Sequence, residues 1–165
     1  MNDLLLAIPR VLHVGSAILL VGGAAFIRFV LMPAANATLT DADHDRLRAR
    51  IMETWKKIVH GGIALLLLSG LFNYARVIME QSHKGDKLYH ALLGTKLLLA
   101  LVVFFLSSAL VGKSAGLAKI RQNAKKWLLV NLLLATVIIA ISGYLRVRGV
   151  PVRPVTTDVK ADIAS

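Results

Sequence analysis

Residues 4–31 read LLLAIPRVLHVGSAILLVGGAAFIRFVL, a run whose only ionisable side chains are Arg10, His13 and Arg28. Crossing about 30 Å of hydrocarbon takes roughly 20 helical residues, and this run exceeds that length. It does not alternate as barrel strands do, and a helix satisfies its own backbone donors and acceptors in lipid. Residues 56–79, 89–112 and 127–146 have the same character. Their short connections predict an all-α polytopic membrane protein, an antiparallel up-down bundle of four transmembrane helices spanning residues 1–148. Residues 149–165, with Pro151 and Pro154, read as a flexible tail.

The first run has a look-alike. Ala35-Asn36-Ala37 resembles a signal-peptide cleavage site. The start carries Asp3 instead of a basic region, and the apolar run is about twice the length of a signal peptide's core. It is therefore read as a retained span.

Composition narrows the function. Of 165 residues, 56% are hydrophobic, which suits a membrane protein more than a soluble domain. The absence of cysteine removes disulfides, thiolate haem ligands, iron–sulfur clusters and thiol copper sites. The formal charge of +11 is read as loop charge against anionic headgroups, since no basic stretch carries a nucleic-acid module. Loops one and three hold the larger share of Lys and Arg. The positive-inside rule then puts those loops in the cytoplasm and both termini outside it, in a bacterial inner membrane. Trp55 and Trp127 mark one interface, and Tyr74, Tyr89 and Tyr144 the other.

Local signals refine the loops. Thr40, followed by Asp41, Asp43 and Asp45, predicts a helix start that runs on through Trp55 into the second span. Pro33 opens loop one, and Lys113–Lys126 forms a basic third loop without acids. His44 and His83 read as solvated loop residues, while Asn73, Asn131 and Thr136 read as ties between helices. Ser108 and Gly112 have a spacing that suits a homodimer contact, and the small chain with its basic loops also suits a larger membrane complex.

Ionisable groups inside spans are expensive and mark sites where something is bound or moved. By helical rise, His13 lies roughly 12–14 Å inside the end of the first span, and Lys96 roughly 10 Å inside the same end of the third. His90 is shallower, and Arg10, Arg76, Arg146 and Arg148 ring that mouth. The bland reading makes His13 an interhelical hydrogen-bond partner and lets Lys96 snorkel to the interface. The sharper reading is a tetrapyrrole, ligand or substrate, among apolar walls. His13 and His90 would then be axial metal ligands, Lys96 a propionate or substrate contact with a catalytic role, and Arg76 and Arg146 carboxylate partners. Small residues such as Gly15, Gly22, Gly23, Gly70 and Gly94 let helices approach or leave room for a flat ligand. His60, toward the other face, would need a second site with Arg28. None of the 9 acidic residues lies mid-span, which argues against a carboxylate-driven transporter.

Arg10-Val11-Leu12-His13, then Gly22-Gly23 and Phe26-Ile27-Arg28-Phe29, together with Gly94-Thr95-Lys96-Leu97-Leu98-Leu99, carry a family resemblance. Over roughly residues 8–146 the chain resembles the HemJ-type protoporphyrinogen oxidases and the related membrane domain of the CopD copper-resistance family. Its departures are Ile27 where the family has a proline, the lack of a histidine at 94 or 95, and no tryptophan in span one. The resemblance implies haem b, with His13 and Lys96 as the functional pair, and an oxidoreductase that takes protoporphyrinogen IX to protoporphyrin IX. Its CopD side implies copper handling through His13, His60 or His90 instead.

Overall fold

A computed structural model describes residues 2–79 and 86–148, with side-chain surroundings for 7–79 and 86–147. His83 and the tail at 149–165 lie outside the described residues. Six α-helices follow in order: α1 (Asn2–Phe26), α2 (Met32–Thr38), α3 (Asp41–Met79), α4 (Lys87–Val111), α5 (Ala118–Gln122) and α6 (Ala124–Arg148). No strand occurs among the described residues. The course from Ala7 through Thr38, α3, α4 and α6 are each long and apolar enough to cross a membrane.

The boundaries depart from the sequence reading where backbone hydrogen bonding changes. A single π-helical turn, Ile27–Leu31, joins α1 to α2, and the Met32 N–H reaches the Ile27 carbonyl five residues back. Pro33, which has no N–H to donate, follows directly. The helix therefore continues to Thr38 instead of stopping at the proline, because a proline in the first turn forfeits a bond already disrupted. The Thr40 cap forms as expected. The Asp43 N–H donates to Thr40 Oγ1 at 3.3 Å, and the hydroxyl donates back to Asp43 Oδ2 at 2.8 Å. α3 then runs 39 residues without a break, about 58 Å at the helical rise. Asp86 caps α4 by accepting the Tyr89 N–H at 3.0 Å. The third loop is not open. It folds into a 3₁₀ turn (Ala115–Leu117) and α5, pinned where Arg121 Nη2 donates to the Ser114 carbonyl at 2.6 Å.

The long helices meet in a ring: α1 on α3, α3 on α4, α4 on α6, and α6 back on α1. α1 and α4 thus face each other across the middle. The α1–α3 seam is built on glycines that receive a neighbour's side chain. A Cβ at Gly23 would overlap the Trp55 indole, one at Gly62 would come within 2.9 Å of Leu20, and one at Gly70 within 3.1 Å of His13 Cε1. Close approach of backbone to side chain is how small residues hold helices together without a hydrophobic driving force. α4 and α6 are tied by Asn131 Nδ2 donating to Ser107 Oγ at 3.0 Å, the helix-joining role read from sequence. Thr136 instead bonds the Leu132 carbonyl of its own helix.

The distribution of side chains is inverted relative to a water-soluble bundle. Ser16, Ser69 and Asn131 are buried, while Val11, Ile18, Leu68 and Leu71 are each about two-thirds exposed, at 67–69%. Tyr74 and Tyr144 are exposed, but Tyr89 is buried with its ring edge-on to His90.

Candidate functional site

His13 is held by α3. Ser69 breaks the leucine run 65–68 of α3, and its hydroxyl turns back onto its own helix to donate to the Leu65 carbonyl. A carbonyl only accepts, so the serine oxygen has lone pairs left to receive a proton. His13 Nδ1 lies 2.9 Å from that oxygen. The relay runs from the His13 Nδ1–H to Ser69 Oγ, and from Ser69 Oγ–H to Leu65 O. With the Ser69 proton given to Leu65, the tautomer that fits is Nδ1–H, in which Nε2 carries the lone pair. Gly70 makes the approach possible, since its lack of a Cβ lets the imidazole edge lie against the α3 backbone.

Lys96 sits on α4, diagonal to α1. Lys96 and His13 are both half-buried. At the same end a cleft of about 240 Å³ is lined by Arg10, Asn73, Arg76 and Val77. Asn73 therefore borders the cleft as well as the helix seam.

Other expected members stand apart. His90 is exposed and stacked edge-on against Tyr89 at 5.8 Å. It precedes Lys96 by six residues, about 120° round the helix from it, which puts the two on different faces. Arg146 is exposed on α6. His60 is exposed with Nδ1 2.7 Å from the Lys56 carbonyl, and it does not share a cavity with Arg28. His44 is corrected most: it belongs to α3, not a loop, and its side chain is 19% exposed. Sequence reasoning also passed over Ser69. The signal was there, a lone hydroxyl beside glycine after four leucines, but its partner lies 56 positions away.

The donors can be tested against candidate metals. No group of three His, Asp or Glu side chains able to hold a metal ion occurs among the described residues. A porphyrin brings four nitrogen ligands of its own, so one well-oriented imidazole suffices. His13 meets that need, since a metal-binding histidine commonly donates its second ring N–H to an oriented partner, as His13 does to Ser69. The arginine-lined cleft is of a size for carboxylates and not for a whole macrocycle. Compared with known protein families, curated proteins and solved structures, the chain matches none.

Proposed function

We propose that this chain is an integral membrane protein with its helices in antiparallel order, and that it binds haem b through His13 in a redox role. The order of seam contacts supports the antiparallel course: Gly23 with Trp55, Leu20 with Gly62, and His13 with Gly70 climb α3 as they descend α1. The exposed leucines and buried serines support insertion, because an apolar exterior of this extent is costly in water and free in lipid.

The observation that carries the haem reading is the His13–Ser69–Leu65 relay, which suits the tautomer with its lone pair on Nε2. Haem, when bound, would supply one-electron redox chemistry. His13 would hold the iron, and Ser69 would fix its tautomer and ring plane. Arg10 and Arg76 offer bidentate donors to propionates at the mouth. Lys96, half-buried on α4, would bind a substrate or propionate carboxylate. His90, on the outer face, and Arg146 are not needed for this arrangement.

The test is a reduced-minus-oxidised absorption spectrum of protein purified in mild detergent, with a pyridine haemochrome assay for stoichiometry. A b-type spectrum that disappears in His13→Ala is the expected result. A featureless spectrum after haem supplementation, or one unchanged in His13→Ala, overturns the assignment.

A further inference from the structure

A cavity larger than the Arg10–Arg76 cleft lies at the other end, about 22 Å along α1 from His13 by helical rise. It measures about 890 Å³ and opens between the end of α1, α2, the start of α3, the end of α4, α5 and the start of α6. Arg28, His44, Arg48, Arg121, Lys125 and Lys126 line it, and no Asp or Glu does. Ala24, Ile27, Trp55 and Leu110 form an apolar wall on the same space.

Three residues of this lining each carry a buried nitrogen without a hydrogen-bond partner: Arg28 Nε, His44 Nε2 and Arg121 Nη1. Only Asn131 Oδ1 shares that condition elsewhere among the described residues. A guanidinium nitrogen only donates, and a buried donor left unpaired costs the full desolvation of the group, so Arg28 and Arg121 call for an acceptor. Backbone geometry holds them there. The π turn at Ile27–Leu31 sets the direction of Arg28, and Arg121 is anchored through its other nitrogen to Ser114. π turns of this kind recur at binding sites.

We infer that this cavity is a binding site for an anionic phospholipid, its phosphate taken by Arg28, His44 and Arg121 and its apolar chain lying against the Trp55 wall. Guanidinium forks match phosphate oxygens in a way that diffuse loop charge does not. A tail is part of the ligand because half of the wall is apolar and leads to the level where the four apolar helices end. The inference rests on the membrane half of the function proposed above and is independent of the haem.

The experiment uses the full chain in mild detergent, titrated with phosphatidylglycerol, phosphatidylcholine or inorganic phosphate and read by native mass spectrometry. One phosphatidylglycerol per chain is expected, held about tenfold more tightly than phosphatidylcholine. Arg28→Gln with Arg121→Gln should erase that preference, while Arg46→Gln with Arg50→Gln, on exposed cations outside the cavity, should keep it. Equal binding of the two lipids by the unaltered chain overturns the proposal, and needs no variant to fold. So does loss of the preference in the Arg46/Arg50 pair, which would reveal surface charge alone. Saturation by inorganic phosphate at the same arginines, with no gain from a lipid tail, replaces the lipid with a free oxyanion and overturns it too. Recovery of the chain in the soluble fraction after carbonate washing would overturn the membrane reading itself. Recovery in washed membranes without a lipid preference overturns this inference alone.

Discussion

The two ends of the molecule treat polar groups in opposite ways. At the His13 end, the polar atoms of α1 and α3 complete one another: imidazole to hydroxyl, hydroxyl to carbonyl. At the far end, three residues that line a cavity, two of them arginines, each hold a buried nitrogen without a hydrogen-bond partner. A completed relay costs little to bury and holds one side chain in one orientation, leaving a single atom for an incoming group. An incomplete cluster stores a desolvation cost that a ligand removes. The first arrangement suits a fixed cofactor, and the second suits an exchangeable anion.

Four substitutions break or sharpen that contrast. His13→Ala removes the only atom the relay presents, and bound haem should fall below detection in the haemochrome assay while lipid retention at the far end is unchanged. Ser69→Ala keeps the imidazole but frees its tautomer and ring plane. Loss of an orienting partner typically costs about 10–100-fold in affinity, so haem titration should weaken by that much. A spectrum and affinity equal to the unaltered chain would show that the relay is only structural. Gly23→Ala acts at the other end, driving a methyl group into the Trp55 ring that walls the cavity. Overpacking of this kind destabilises by about 1–3 kcal/mol, seen as a lower unfolding midpoint in detergent with haem content per folded chain preserved. Asn131→Leu belongs to neither end. It removes one interhelical bond to Ser107, and such bonds average about 0.6 kcal/mol in membranes, so only a small shift in midpoint is expected.

The same division marks what could be read without coordinates. The four long helices follow from length and apolar content, and the Thr40 cap announced α3 because capping is a contact across three residues. The π turn at Ile27–Leu31 escaped, since Pro33 reads as a stop whenever the preceding turn is assumed to be α-helical. α5 escaped because a short basic stretch has no apolar period, and its fold leans on one arginine bonded to Ser114. His44 read as solvated for the same reason: its burial comes from the walls of a cavity assembled by five other segments.

From the sequence alone came the helical class, the apolar length of each helix, and the presence of His13 and Lys96 at matching depth in apolar runs. Those are sums over neighbouring residues, and they survive without tertiary knowledge. Which side of each helix faces inward came only from the packed structure. In helices apolar on every side, hydrophobic periodicity does not distinguish the buried face from the exposed one. Glycine contacts made that choice: Gly70 against His13 and Gly23 against Trp55 set the rotation of α1 on α3. That rotation set His13 against Ser69 and Gly70 of α3.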